Sequence, residues 1–242
     1  MIKAAINKIL ELAPPVISEI NGRKYSDKEL SRIDNELRAV SISMNTLTGL
    51  VDFIKSTKDF KPIPYIIQVV SPTEVRLISS LDGDRKRETL AEVNAEIPDF
   101  SFGQFIENEK FIINVQAKFL DSDAEKNDKP IILQFAGNVK AGTVAEYGDT
   151  GVGQKAAIKK GVASLQEVEV PSPCYLMPYR TFTEVAQPMS SFIFRVKDDD
   201  RYGVEFALFE ADGNAWKLEA KENIKEFLES HLEGFNNVTV IS

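Results

Sequence analysis

Five polar residues in the C-terminal third have the types and spacing to hold or transform a ligand: Arg180, Glu184, Arg195, Glu210 and Asp212. Glu210 and Asp212 lie two apart, which on an extended strand turns both carboxylates to one face. Two carboxylates on one face do acid–base work or hold a cation. Arg180 adds a planar, permanently charged fork that matches a carboxylate or a phosphate. A carboxylate-dependent enzyme acting on a phosphorylated or nucleic-acid substrate needs Glu210 and Asp212 to converge with Arg180 or Arg195 in one pocket. The same residues also have a purely structural reading. Arg180 is then a buried anchor paired with Glu184 or Glu210, and Asp212, just ahead of Gly213, is a turn carboxylate that accepts backbone amides.

The rest of the inventory offers little to a catalyst. GDTGVGQKAA (148–157) has the glycine separation of a phosphate loop, but Gln154 stands where the loop needs lysine and Ala156 lies where a hydroxyl would follow, so a glycine-rich turn is expected. His231 is the only histidine and sits at the end of an amphipathic run, where it complements a helix dipole. Cys174, the only cysteine, has no neighbouring base in sequence and reads as a buried thiol. The Asp198-Asp199-Asp200 run fits a solvated hairpin turn, and Lys155, Lys159 and Lys160 a solvated strand face. These residues give no catalytic set, no metal site and no cofactor, so none is expected.

The elements that must position these side chains are legible in part. Ile2, Ile6, Ile9 and Leu10 have helical spacing, and Pro14-Pro15 stops that helix. Asn21-Gly22 marks a hairpin turn. Ser26 to Glu29 resembles a capping box that opens a short helix, and RAVSIS (38–43) alternates as a strand. Asn45-Thr46 starts a second helix with Leu47, Leu50, Val51 and Ile54 on one face. After a proline-punctuated linker (57–64), strands 65–71 and 74–81 pair across Pro72-Thr73. The charged patch 82–88 reads as a loop entering a short helix. Residues 99–107 give no clear pattern. FIINVQAKFL (111–120) fits helix or strand, its β-branched content favouring strand, and IILQFAGNV (131–139) reads as a buried strand. Further strands flank a turn at 148–153. Prolines confine 171–182 to an edge or crossing segment. SSFIFRVK and YGVEFALFEA form a hairpin, AWKLEA (215–220) a further strand, 221–232 a helix with Ile224, Phe227, Leu228 and His231 on one face, and NVTVIS a last strand.

This order gives an α+β fold with a mostly antiparallel sheet core, a few packed helices and a strand-rich C-terminal half. A helix-rich segment 1–60 packed on a sheet-rich domain 61–242, or one domain overall, is the expectation. The formal net charge of −8 over 242 residues opposes broad contact with a phosphate backbone, so nucleic-acid binding is not expected. No apolar run approaches the roughly 18 residues of a membrane-spanning helix, and one cysteine fits a reducing compartment. A cytoplasmic protein without membrane contact is the expectation.

Pro178 to Phe182, Glu184-Val185, Gln187-Pro188 and Ser191 to Arg195 together carry a family resemblance. Ala207 to Gly213 and Trp216 extend it. The chain here resembles the YfdQ-like group of phage and prophage proteins, a domain of unknown function; Asp149 to Gln154 with IKKGVA are similar to that group's middle portion, and Thr46 to Ile54 to a motif of its relatives in Gram-positive phages. The match departs at Ala186 and Met189, where acids are expected, and at Asn214, where glycine is expected. The resemblance implies a phage or prophage protein in the cytoplasm of a bacterial host. It implies no activity and no catalytic residue. With strand edges to cover, a homo-oligomer that acts by binding a host protein, a nucleotide or copies of itself is the expectation. A sequestering factor that counters host defence fits the phage setting, and a DNA-associated early protein is the further alternative. In this reading Phe194, Phe209 and Trp216 are structural anchors of the 178–219 unit.

Overall fold

Why the chain folds as it does is clearest in its hairpins and amphipathic stripes. A computed structural model of the protein describes residues 2–29, 39–56, 63–83, 85–121, 126–139, 144–149, 154–159, 165–169, 172–199 and 203–242. The capping-box helix, the 57–64 linker in large part, and the 150–153 turn lie outside the described residues, as does Lys160. The chain divides into two compact units, 1–38 and 39–242.

The first unit holds helix α1 (Ile2–Leu12) and the hairpin β1 (Ile17–Ile20) and β2 (Arg23–Ser26). Asn21 and Gly22 both adopt positive φ, 54° and 74°, as a two-residue turn matched to strand twist requires. Asp27 closes the hairpin base: its carboxylate accepts the Val16 amide at 2.7 Å. Ile2, Ile6, Ile9 and Leu12 of α1 are exposed.

In the second unit β3 (Ile42–Met44) and α2 (Leu47–Ser56) precede the hairpin β4 (Tyr65–Ser71) and β5 (Glu74–Ser79), followed by β6 (Thr89–Asn94). The sequence reading places β3 and α2 with an N-terminal segment 1–60; they belong to the second unit. There follow β7 (Ile106–Glu107), α3 (Asn108–Lys118), α4 (Lys129–Asn138), β8 (Val144–Asp149), β9 (Gln154–Lys159) and β10 (Leu165–Glu169). β11 (Cys174–Leu176), β12 (Ser190–Asp199), β13 (Gly203–Glu210), α5 (Ala215–His231) and β14 (Val238–Ile241) complete the unit.

Among its described residues the strands form three sheets. One has the order β14-β4-β5-β6-β3, antiparallel inside with a parallel strand at each edge. The second, β11-β12-β13-β7, and the third, β10-β9-β8, are antiparallel throughout. Helices α2 and α5 share a core with the first sheet, where Leu50, Ile54, Ile67, Leu77, Ile224 and Leu228 are buried together. Helices α3 and α4 share another with the second sheet, where Phe111, Ile132, Phe135, Phe194 and Phe206 meet. Helices packed on antiparallel sheets make this an α+β fold.

Four elements differ from the sequence reading. Residues 111–118 and 131–138 are helices, α3 and α4, although β-branched residues favour strands there. The buried positions decide it. Phe111 and Val115 are four apart, and Ile132, Phe135 and Ala136 follow helical spacing, so each helix buries one stripe on the sheet. Tertiary packing overrides a propensity worth tenths of a kcal/mol per residue. Thr89–Asn94 is a strand, not a short helix: Ala91 and Val93 alternate into the core. AWKLEA forms the first turns of α5; its apparent alternation fails because Leu218 is exposed while Ala220 is buried.

Candidate functional site

The loop from Met177 to Ser190 joins the two cores, and one buried amide organises it. Gln187 accepts the backbone amides of Arg180 (3.0 Å) and Thr181 (3.3 Å) on its side-chain oxygen, and donates from its nitrogen to the carbonyls of Phe182 (2.9 Å) and Val185 (3.3 Å). A loop with no ladder of its own thereby satisfies four main-chain groups. The outer ties are just as specific. Thr181 Oγ1 donates to the Pro72 carbonyl in the β4–β5 turn at 2.5 Å, and Asn223 of α5 donates to Ala186 O at 3.0 Å. Glu184 reaches α2, where its two oxygens accept Leu47 N at 2.8 Å and Thr48 N at 2.7 Å. Phe182 fills the first core between these ties.

This scaffold holds Arg180 almost fully buried, at 5 % exposure. Its Nη1 donates to Glu210 Oε1 at 2.6 Å, its Nη2 to Ser190 Oγ, and its guanidinium carbon lies 4.0 Å from the centre of the Trp216 ring. Phe192 and Phe102 flank it at 5.6 and 5.9 Å. Burial pushes the guanidinium down to about 10, while the charges of Glu210 and Asp212 and the bond to Glu210 pull it back up. It is therefore still a cation at neutral pH.

Trp216 reaches Arg180 because of a tight turn from β13 into α5. Asp212 Oδ1 accepts Asn214 N at 3.0 Å, and Gly213 and Asn214 both take left-handed φ, 62° and 68°. Asparagine and glycine are the residues that tolerate this. Three polar atoms around Arg180 are buried without a hydrogen-bond partner: Arg180 Nε, Trp216 Nε1 and Asp212 Oδ2.

Beside them opens a cleft of about 470 Å³. Its walls are Pro72 of the β4–β5 turn, Ile97, Pro98 and Phe100 of the loop after β6, Tyr179, and Trp216. Four acidic or basic residues are among its lining, Arg180, Glu210, Asp99 and Lys217. The volume falls within the range of small-molecule sites, and predominantly apolar walls with a few fixed polar groups are their usual make-up.

In comparisons with known proteins, no family model, no curated protein and no solved structure matches this chain.

Of the residues singled out in the sequence, the fold brings Arg180, Glu210 and Asp212 together around Trp216. It does not bring Glu184 or Arg195 to them. Glu184 is spent on the end of α2. Arg195 pairs in register with Ala207, while Glu210 pairs with Phe192, so Arg195 lies on the opposite face of the β12–β13 ladder. Phe194 is a core anchor, Trp216 stacks on Arg180, and Phe209 packs on the far face against Phe105 at 6.3 Å. Cys174 is buried, which lifts its thiol to about 12 with the charge of Asp128 adding to the effect. His231 stacks on Phe227 and contacts its carbonyl at 2.8 Å. Among the described residues, no three His, Cys, Asp or Glu side chains converge as metal ligands do, and no helix is long and apolar enough to cross a membrane. Sequence reading missed Pro98, Phe100 and Lys217, which come to line one cleft with Arg180 only through folding.

Proposed function

We propose that this chain is a phage or prophage accessory protein that works by binding, with the cleft beside Arg180 and Trp216 as the seat of its ligand. The observation that carries the reading is the commitment of Arg180. A guanidinium locked onto Glu210 at 2.6 Å and stacked on Trp216 at 4.0 Å is a fixed recognition wall. Glu210 answers that guanidinium through Oε1, so the pair that an acid–base mechanism would draw on is engaged with itself. With Arg195 on the other face of the ladder, the carboxylate-enzyme alternative rests on Arg180 alone. The phage setting rests on the resemblance of residues 178–216 to the YfdQ-like group. Self-association belongs to the same proposal, supported by the edge strands β14 and β3 of the five-stranded sheet.

Native mass spectrometry of protein purified from its own host tests this. The expected spectrum shows an oligomer whose subunits carry a small-molecule mass, and Ile97→Arg, which projects a long side chain across the cleft, abolishes that mass. A ligand-free monomer contradicts both halves of the proposal. A retained mass that survives Ile97→Arg places the binding elsewhere.

A further inference from the structure

A bare sheet edge invites another strand, and folded proteins guard their edges with charge, proline, short length or a covering segment. Among the described residues, every edge but one is guarded. β3 has three residues with carboxylates at both ends, where Glu88 accepts Ala39 N at 2.9 Å and Glu96 accepts from the Asn45 side chain. β7 has two residues, one of them Glu107. β11 is covered at Tyr175, whose amide donates to Asp128 Oδ2 at 2.7 Å and whose carbonyl accepts Asp128 N at 2.9 Å. β8 and β10 carry two carboxylates each in sequence, and both strands of the β1–β2 hairpin carry charge. β14 is the exception. Residues 234–242 contain no Asp, Glu, Lys, Arg or Pro, in a chain of net charge −8.

The main chain of that edge is free to pair. Successive residues of a strand turn their N–H and C=O to alternate sides. Tyr65 N donates to Asn237 O at 2.7 Å, so Asn237, Thr239 and Ile241 turn to β4, and Val238 and Val240 turn away. Val238 N is taken by Phe235 O at 3.1 Å. Val240 keeps both its N–H and its C=O without a further partner among the described residues. The side chains of Val238 and Val240 are half-buried against the core of α2 and α5, and Thr239 and Ile241 are exposed on the opposite face.

An uncharged strand meets a copy of itself with no like charges opposed. A two-fold axis through Val240, normal to the sheet, makes such a pair antiparallel and keeps both cores on one side. Val240 then exchanges both hydrogen bonds with its own counterpart, and Thr239 faces the partner's Ile241 on either side of the axis. We infer that β14 is the seam of a symmetric dimer, in which two copies of this chain pair Val238–Ile241 antiparallel about Val240 and join their five-stranded sheets into one continuous sheet. The inference rests on the self-association proposed above and names the surface that carries it.

Sedimentation velocity of the full chain over a concentration series tests the seam by charge exchange. Thr239→Glu with Ile241→Glu sets carboxylates opposite one another at both ends of the seam, at positions exposed in the single chain. Thr239→Lys with Ile241→Lys does the same with ammonium groups. Wild type is expected at twice the chain mass. Each double variant is expected at the single mass with unchanged far-ultraviolet circular dichroism, and an equimolar mixture of the two returns to twice the mass. Damage to the fold cannot produce that recovery. Val240→Pro deletes the outward N–H and leaves the bonds to β4 in place, so it too is expected to be a monomer. Double variants that keep the wild-type mass, or a mixture that stays monomeric beside a dimeric wild type, overturn the seam and leave self-association standing. A wild type that is monomeric at every concentration removes self-association as well. A foreign polypeptide carried by monomeric wild type, and lost in the Glu double variant, gives the edge to another chain and overturns the second copy.

Discussion

Replacing Glu184 with alanine should destabilise the second unit by about 2–3 kcal/mol, although Glu184 is 136 residues from Thr48 at the start of the helix it serves. Helix α2 is capped twice. Locally, Thr46 Oγ1 accepts Gly49 N at 3.1 Å, an arrangement so close that a Cβ on Gly49 would come within 2.9 Å of that oxygen. From the distant loop, Glu184 accepts Leu47 N and Thr48 N on separate oxygens, and Thr48 Oγ1 donates to it at 2.5 Å. Leu47 is fully buried, so its amide has no water to fall back on once the carboxylate is gone. Loss of a side-chain cap costs roughly 0.5–2 kcal/mol, and the negative charge at the N-terminal end of the dipole adds about 0.3–1 kcal/mol. Glu184→Gln keeps one acceptor without the charge and should cost about half as much as alanine. Thr48→Val removes only the hydroxyl bond and should cost about 1 kcal/mol. Equilibrium unfolding in urea, followed both by Trp216 emission and by far-ultraviolet circular dichroism, measures all three. If Glu184→Ala shifts stability by less than about 0.5 kcal/mol, the long-range cap is not formed and the loop is held by its other ties alone.

Three further outcomes are expected. Gln187→Leu strands four main-chain groups in the buried loop and should cost about 3 kcal/mol, lowering the thermal midpoint by roughly 6–12 °C in calorimetry; a change below about 2 °C contradicts the network. Lys129→Met should cost about 2–3 kcal/mol in urea unfolding, because the buried ammonium donates to Phe119 O at 2.6 Å and Gln116 O at 3.2 Å at the end of α3. Cys174 makes stability pH-dependent on the alkaline side. Its folded thiol stays protonated to about 12, whereas the unfolded thiol ionises near 9.0. Its contribution is thus complete below pH 9 and is lost as pH rises toward 12, by about 1.4 kcal/mol per pH unit. Cys174→Ala should abolish that part of the slope, and identical slopes for both proteins would refute a protonated buried thiol.

Local signals with one physical solution were legible in the sequence. The Asn21-Gly22 and Pro72-Thr73 turns fix their hairpins, and the Leu47, Leu50, Val51, Ile54 stripe fixes α2. The pairing of β12 with β13 follows from alternation around a charged turn. Misread segments were those where composition and packing disagree. Ile112, Ile113 and Val115 favour a strand, yet Phe111 and Val115 find a helical stripe against Phe194 and Phe206. At the site, residue chemistry named Arg180 and Glu210 as a pair but left Glu184 as an equal partner, since nothing local says that α2 arrives beside Glu184. Arg195 was separated from Glu210 by strand register, which depends on the pairing partner. Pro98, Phe100 and Lys217 carry no mark in sequence; they become cleft walls only when the loop after β6 meets the start of α5.

Trp216 is the only tryptophan in the chain and lines the cleft, so its emission reports on the site directly. The decisive measurement is that emission while the small-molecule fraction of host extract, and then its active component, is titrated into purified protein. Cleft binding predicts a saturable change in wild type that disappears in Ile97→Arg with the fold intact. A ligand that binds by calorimetry yet leaves Trp216 emission unchanged, or that acts equally on Ile97→Arg, would contradict the assignment of this cleft as the binding site.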